Sequence, residues 1–337
     1  MKKIVVTGGT GFVAGWVIVE FLNAGYQVST SVRSLKKGER LKKEIASAVN
    51  AAELANLSFF EADLTSDQNW VENIKGAAGV IHVASPLGHG TESVEELVNV
   101  AKNGTLTVLR AAKLAGVKRV VMTSSQAAST PATGSTAVLD EQFWTDINNP
   151  DLDAYRISKV ASEKAAWQFA RENQLDLTTI LPGAIFGPAL SAHAISSNGI
   201  ILQLVKGMPF IPHVPLEISD VRDLAHLHRL AFEQPVAIGK RYLAASQTLT
   251  MAEVERLFQT HFPEQQIKVR LLPNWAMKIV AKFQPDMRSL VPMLDRQYRH
   301  TTAAAENDLG WTQHQPEETV LAAANKLIEL GLVTNSK

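Results

Sequence analysis

Short β-branched runs alternate with longer stretches of helical period along the first half of the chain. Residues 3–7, Lys-Ile-Val-Val-Thr, have the continuous apolar character of a strand buried on both faces. Apolar residues at helical spacing then run through Leu22, and Gly25 ends that helix. The same rhythm predicts strands over residues 26–32, 57–61, 79–84 and 118–123, separated by helices over 38–55, near 67–75 and over about 92–115. A helix starts at Tyr155, and residues 175–181 form a further strand that Pro182-Gly183 breaks. Strict alternation of strand and helix implies right-handed crossovers and a parallel sheet. The fold class is therefore α/β, a doubly wound parallel sheet of the Rossmann type, with ligands at the C-terminal ends of its strands.

Near residue 188 the alternation stops. Short strands near 211–218 and 240–245 mix with helices near 221–233, 250–260, 273–283 and 316–331. This predicts a doubly wound nucleotide-binding domain over residues 1–187 and a smaller C-terminal substrate lobe over residues 188–337. The lobe is expected to contain interleaved segments, some of which, near 211–245, return to the first domain.

Between the first strand and the first helix stands Gly8-Gly9-Thr10-Gly11-Phe12-Val13-Ala14-Gly15. Free N–H groups and the helix dipole at such a turn suit a pyrophosphate. Gly8 permits the tight turn, Gly11 lets phosphates approach the backbone, and Ala14 is small enough for the helix to pack on the strand. The second strand ends in Ser31-Val32-Arg33-Ser34-Leu35-Lys36-Lys37. Many dinucleotide folds place an acid here, on the adenosine ribose; this chain has none, and Arg33 stands where a 2′-substituent would lie. A guanidinium there favours NADP over NAD.

Composition narrows the field by exclusion. The 337 residues carry 33 Lys+Arg against 33 Asp+Glu, so charge balance gives no reason to expect nucleic acid or an acidic membrane surface as partner. The absence of cysteine excludes disulfides, thiolate metal sites and cysteine nucleophiles, and fits a reducing, cytoplasmic location. The start reads as a strand and not as a signal peptide, because Gly8-Gly9 cuts the apolar run and no small-residue cleavage site follows. No stretch approaches the roughly 20 apolar residues of a spanning helix.

Tyr155-Arg156-Ile157-Ser158-Lys159 heads the helix that follows a long irregular stretch, residues 126–150. Residues four apart share a helical face, so the Tyr155 hydroxyl and the Lys159 ammonium can be presented to one pocket. A phenol beside a fixed positive charge ionises more readily than a free one, which suits a proton donor near neutral pH. A long loop inside a compact domain is usually functional, and this one is expected to border the pocket together with residues 185–200.

As an ordered set these residues resemble the extended short-chain dehydrogenase/reductases, and within them the dihydroflavonol-reductase-like carbonyl and aldehyde reductases. The resemblance covers nearly the whole chain. It rests on Thr7-Gly8-x-x-Gly11-x-x-Ala14, Asp63-Leu64, His82-Val83-Ala84-Ser85-Pro86, Asn103-Gly104-Thr105 and Thr123-Ser124-Ser125. Asp140-Glu141 with Trp144, Tyr155-x-x-Ser158-Lys159, Glu163-Lys164-Ala165-Ala166-Trp167, Leu309-Gly310-Trp311 and Glu317-Glu318-Thr319 complete it.

The resemblance implies a cofactor site built by Thr7, Gly8, Gly11, Phe12 and Val13 at the pyrophosphate, with Arg33 and Lys37 at the 2′-phosphate. It places Asp63 and Leu64 at the adenine, and Val83, Ala84, Ser85 and Thr123 toward the ribose and nicotinamide. Pro182, Gly183 and Ile185 would pack on the nicotinamide. Ser125, the second serine of its pair, would join Tyr155 and Lys159 as the catalytic set. Apart from the resemblance, the irregular stretch between Ser125 and Tyr155 and the apolar strand end lead us to expect Pro86, Gln126 and Trp144 at the substrate. Plant flavonoid reductases carry an Asn shortly after the catalytic serine; here the stretch is Gln126-Ala127-Ala128-Ser129-Thr130, which argues against a flavonoid substrate.

The expected function is NADPH-dependent reduction of a ketone or aldehyde to an alcohol, and the reverse, with Tyr155 as general acid. Partners are then a small-molecule carbonyl compound and at most a second copy of the chain, as monomer or homodimer. Two alternatives use the same fold: a sugar-nucleotide epimerase or dehydratase with tightly held NAD, which Arg33 disfavours, and a non-catalytic NADP-sensing regulator, which would not need Ser125, Tyr155 and Lys159 together. His226 and His228 are two apart and share no helical face, so no metal is expected. No Gly-x-Ser-x-Gly elbow surrounds Ser125. Arg222 and Asp223 read as a structural ion pair, and Phe143 and Trp144 as either core aromatics or pocket walls.

Overall fold

The computed structural model describes residues 1–85, 93–283, 290–294 and 296–333. Its main sheet has seven strands, in the order Arg241–Leu243, Asp176–Leu181, Arg119–Thr123, Gly79–His82, Lys3–Val6, Gln27–Val32, Leu57–Glu61. Every neighbouring pair is parallel, with Val5 opposite Ser29 on one side and Val80 on the other. The chain leaves Lys3–Val6 in one direction and later returns on its other flank at Gly79–His82. That reversal opens a crevice outside the strands' C-terminal ends.

Side-chain alternation along the strands sorts the core into two layers. Ile4, Val6, Ile81, Val121 and Ile180 point to one face, under the helices Phe12–Asn23 and Val221–Glu233. Val5, Val80, Val120, Met122 and Leu177 point to the other, under Val94–Leu114 and Ala154–Asn173. Each such side chain, fully buried, contributes about 1.5–3 kcal/mol. A third core, with Phe186, Leu204, Leu216, Phe258, Val320 and Leu327, is separate from these two layers.

Several elements depart from the sequence expectation in instructive ways. Residues 38–55 form two helices, Leu35–Glu44 and Ala51–Leu54. Ile45 and Val49 turn into the first core between them, and Asn50 is extended, which ends one run before the next begins. The helix expected from residue 92 starts at Val94, where Ser93 and Glu96 form a reciprocal capping box. Residues 126–150 are not wholly irregular: a single 3-10 turn spans Gln126–Ser129, and Val138–Leu139 pairs in parallel with Arg299–His300 near the other end of the chain.

At Pro182-Gly183 the chain leaves the main sheet. Ala184–Phe186 joins a second, three-stranded sheet ordered Thr248–Thr250, Pro215–Asp220, Ala184–Phe186. Arg241–Leu243 then comes back as the last strand of the main sheet, and Val221–Glu233 packs on Phe12–Asn23. Arg222 pairs with Asp220, at 2.6 Å, and not with its neighbour Asp223, whose carboxylate takes His314 at 2.6 Å. The side chain of Thr319 adds a hydrogen bond to Asp220 at 2.9 Å, and Trp311 donates its ring N–H to the Asp223 carbonyl at 2.8 Å. No helix among the described residues is long and apolar enough to cross a membrane.

Candidate active site

The switch-point crevice is a cleft of about 810 Å³, the size of a small-molecule or cofactor site. Its floor is the glycine turn. Gly8 has φ +72°, and a Cβ there would lie 2.8 Å from the Cβ of Ala84. A Cβ on Gly9 would collide with the Thr30 side chain. The Gly8 N–H donates to Ser31 Oγ at 2.9 Å, so the end of the second strand shapes the turn. The helix Phe12–Asn23 begins with Gly11 as its cap; no side chain caps it and no acid occupies its first turn. Its first N–H groups and positive dipole end therefore face the cleft uncontested, which fits a pyrophosphate.

The far wall carries Arg33, Asp63 and Leu64. Arg33 is exposed at the end of Gln27–Val32. The Thr65 N–H and hydroxyl, at 2.9 and 2.7 Å, hold the Asp63 carboxyl below the usual carboxylate range, and the charge of Arg33 adds to this. Leu64 packs against Gly104, which explains the glycine in Asn103-Gly104-Thr105. Lys37 is exposed on Leu35–Glu44 and does not line the cleft.

Thr7 is fully buried and acts from behind. Its hydroxyl oxygen accepts the N–H groups of Val83 and Ala84, both at 3.0 Å. The hydroxyl proton is then left for His82 Nδ1 at 2.9 Å, which must accept it. Burial, with the charge of Lys159, pushes His82 down to about 4, so the ring is neutral as this bond requires. Thr7 thus pins the turn at Val83, Ala84 and Ser85, which do line the cleft. Pro86 lies outside the described residues.

The other end of the cleft carries Ser125, Tyr155 and Lys159. The helix Ala154–Asn173 starts at an Asp153 cap, whose carboxylate accepts the Arg156 N–H at 2.7 Å. Tyr155 and Lys159, one turn apart, both line the cleft; Tyr155 is 36% exposed and Lys159 8%. The Lys159 ammonium donates to Ser85 Oγ at 2.9 Å and sits 5.4 Å from the centre of the Tyr155 ring. Ser125, at the end of Arg119–Thr123, lines the same space, and its Oγ accepts the Ala127 N–H at 3.1 Å, which leaves its proton for the cleft. Ser124 serves the scaffold instead: it donates to buried Glu163 at 2.6 Å. Thr123 lines the cleft while its hydroxyl meets His228 Nε2 at 2.7 Å; His228 Nδ1 is taken up with the Leu224 carbonyl, so Thr123 is the donor.

Pro182, Gly183 and Ile185 complete the wall beside Tyr155. Two residues expected at the substrate lie elsewhere. Gln126 is buried, and its amide donates to the Ala245 carbonyl at 2.6 Å. Trp144 lies under the Arg241 guanidinium, 3.7 Å from the ring centre. Neither lines the cleft. Ser31 and Ser196 also line the cleft, though no expectation from the sequence includes them. Ser31 directly precedes the Val32-Arg33 strand end and was within reach of the motif; Ser196, a non-glycine with φ +44° on the cleft wall, carries no local signal.

A family model, "NAD dependent epimerase/dehydratase family", matches residues 4–245. Among known proteins, the chain is 33% identical over 284 residues to the anthocyanidin reductase ((2S)-flavan-3-ol-forming) of Vitis vinifera, covering 79% of this chain and 82% of that one. It is 34% identical over 310 residues to the dihydroflavonol 4-reductase of Hordeum vulgare, covering 89% and 85%. The crystal structure of the yeast methylglyoxal/isovaleraldehyde reductase Gre2 complexed with NADPH superposes with a TM-score of 0.81 at 25% identity, covering 98% of this chain and 100% of that one. With the seven-stranded sheet and the ordered motifs, these likenesses place the chain in the NAD dependent epimerase/dehydratase family, among the extended short-chain dehydrogenase/reductases.

Proposed function

We propose that the protein is an NADPH-dependent reductase of a small or medium ketone or aldehyde, interconverting it with the alcohol. The observation that carries this reading is the convergence of Ser125, Tyr155 and Lys159 on the cleft that begins at the glycine turn and ends at Arg33. A pure binding module would need the phosphate half of that cleft but no proton donor at the other end. The chemistry of NADPH and the names of the flavonoid and aldehyde reductase relatives support the same reading.

When bound, NADPH supplies the hydride that reduces the carbonyl carbon. The chain's own residues then have three tasks. Tyr155 gives its hydroxyl proton to the carbonyl oxygen as negative charge develops there. Ser125 donates a second hydrogen bond to the same oxygen and fixes the orientation of the carbonyl. Lys159, steadied by Ser85, holds a positive charge beside the Tyr155 ring and is placed to bind the cofactor's ribose. Gly8, Gly11, Phe12 and Val13 take the pyrophosphate, and Arg33 the 2′-phosphate. Ile185 and Ser196 furnish the substrate side, with apolar and polar surface in the mixture common to such pockets.

NADPH oxidation measured against a panel of ketones and aldehydes tests the reading. Tyr155→Phe removes only the hydroxyl and should lower kcat by roughly 10²-fold or more, with NADPH binding intact. A Tyr155→Phe protein that works at the parental rate removes Tyr155 from its role, and a parent inactive on the whole panel removes carbonyl reduction.

A further inference from the structure

We infer that His300, far from the cleft in sequence and absent from its lining, is a positioning residue that holds the turn aiming Ser125 at the carbonyl; this rests on the reaction proposed above. The turn in question is Gln126–Ser129, a single 3-10 turn with Ser125 as its cap. Ser125 Oγ accepts the Ala127 N–H at 3.1 Å, and Ser125 O accepts the Ala128 N–H at 2.9 Å. A piece this short does not hold its own shape, since one turn fixes several dihedrals for very few hydrogen bonds. It must be held from outside.

The near end is held by the main sheet and its continuation. The Gln126 N–H donates to the Pro182 carbonyl at 2.9 Å, and the Gln126 amide to the Ala245 carbonyl at 2.6 Å. The far end is held by Thr145, whose N–H donates to the Ala128 carbonyl at 3.1 Å and whose hydroxyl oxygen accepts the Thr130 N–H at 2.6 Å, and beyond it by His300. Its Nε2 lies 2.8 Å from the Ser129 carbonyl oxygen, and because a carbonyl can only accept, Nε2 must carry the proton and donate. The hydroxyl of Ser129 is buried and has no partner of its own.

The ring is anchored in turn. Its Nδ1 lies 2.7 Å from Glu217 Oε2, and the backbone N–H of His300 donates to Glu217 Oε1, also at 2.7 Å. Arg296 approaches the same carboxylate at 3.3 Å, and the Tyr298 ring meets the imidazole edge-on. Both His300 and Glu217 are almost fully buried, at 3% and 2% exposed. Glu217 belongs to Pro215–Asp220, and its backbone carbonyl lies against Gly183, where a Cβ would collide with it. His300 therefore ties the turn behind Ser125 to the strand behind Gly183, and its backbone N–H keeps hold of Glu217 even where the ring bond to that carboxylate is lost. The two are neighbours beside the proposed reaction centre, a Cβ on Gly183 lying only 2.7 Å from Gln126 Oε1, and a misplacement of about 1 Å there is enough to cost about 10²-fold in rate.

His300→Asn and His300→Gln separate this role from plain stability. The Asn amide reaches the place of Nδ1 and keeps the bond to Glu217; the Gln amide reaches the place of Nε2 and keeps the bond to Ser129. Each loses one buried hydrogen bond. With the best carbonyl substrate, His300→Asn should lower kcat by roughly tenfold or more with KM and NADPH affinity close to parental, while His300→Gln stays near the parental kcat. Hydrogen–deuterium exchange of the amides of residues 126–130 gives a readout that needs no activity. Exchange should quicken in His300→Asn and stay slow in His300→Gln. Should His300→Asn not fold, Glu217→Gln, which loosens the ring's anchor but leaves Ser129 bonded, should resemble His300→Gln; a kcat loss of about tenfold there overturns the inference. So do equal kcat losses, or equal exchange, in the two His300 variants. If the parent reduces no carbonyl tested, the proposed reaction falls, and the exchange experiment alone decides on His300.

Discussion

Arg241→Met tests the buried polar hub that joins the Ala154–Asn173 helix to the sheet. Glu163, on that helix, is 0% exposed and accepts from Ser124 Oγ at 2.6 Å, Thr179 Oγ1 at 2.8 Å and Arg241 Nε at 2.9 Å. Arg241 also donates to the carbonyls of Glu141 and Phe143, at 2.7 and 2.8 Å, and covers the Trp144 ring. Methionine replaces the stem of the side chain but strands a buried carboxylate without its cation. Removing one partner of such a pair costs about 3–5 kcal/mol. Each of the two carbonyls left without a donor adds about 1–3 kcal/mol where water cannot reach it, so relaxation of the 140–145 segment decides where in that range the loss falls. Glu163→Met should cost a similar amount, because it strands the guanidinium. The double variant removes both charges and should be milder than the sum of the singles by at least about 1.5 kcal/mol. Urea denaturation followed by tryptophan fluorescence and far-UV circular dichroism gives all three values, with agreement of the two probes checking the two-state assumption. Single losses that add up to the double loss within about 0.5 kcal/mol would refute the reasoning.

Two further predictions concern charge. Arg33→Ala should weaken NADPH binding by about tenfold or more, or about 1.4 kcal/mol, and leave NADH binding nearly unchanged; equal weakening of both cofactors, read by fluorescence titration, sinks the assignment of the 2′-phosphate. Glu255 is fully buried, one oxygen accepting the Met208 N–H at 3.0 Å and the other unpartnered, and burial pushes its carboxyl up to about 7. An acid with a raised folded pKa keeps its proton longer in the native state, so stability falls as pH climbs from the normal carboxylate range to about 7 and is level above it. Glu255→Gln should therefore be more stable than the parent at pH 8 by on the order of 2–3 kcal/mol, an advantage that fades in acid; the same difference at both ends of the range contradicts it.

What could be read in the sequence was what local spacing encodes. The glycine turn, the strand ending in Arg33 and the Tyr155/Lys159 pair each lie within a few residues, where periodicity and turn chemistry act directly. Only their position in the stretch between Ser125 and Tyr155 points Gln126 and Trp144 toward a substrate. Their true partners, Ala245 and Arg241, arrive from about a hundred residues downstream, and no local pattern announces such contacts. The inward role of Thr7 was hidden for a similar reason: a threonine before a glycine turn looks alike whether its hydroxyl faces a ligand or supports residues 83 and 84 from below. The break within 38–55 leaves no trace in the pattern, because Ile45 and Val49 keep helical spacing while the chain turns them into the core by another path.

The return of Arg241–Leu243 to the main sheet sets the order in which a nascent chain can finish folding. The layer beneath the glycine turn contains Ile4, Val6 and Ile180, but it is closed by Leu224, Leu227 and Tyr242, and then by Leu309 and Trp311. A ribosome that has made everything through the Tyr155 helix still displays that layer's apolar flank to water or to a chaperone. At about 5–20 residues per second, the missing cover is seconds away. Competence to bind the proposed cofactor should thus appear late in synthesis and abruptly, once Leu309 and Trp311 have cleared the exit tunnel, although nearly all the residues proposed to hold that cofactor come from the first half of the chain.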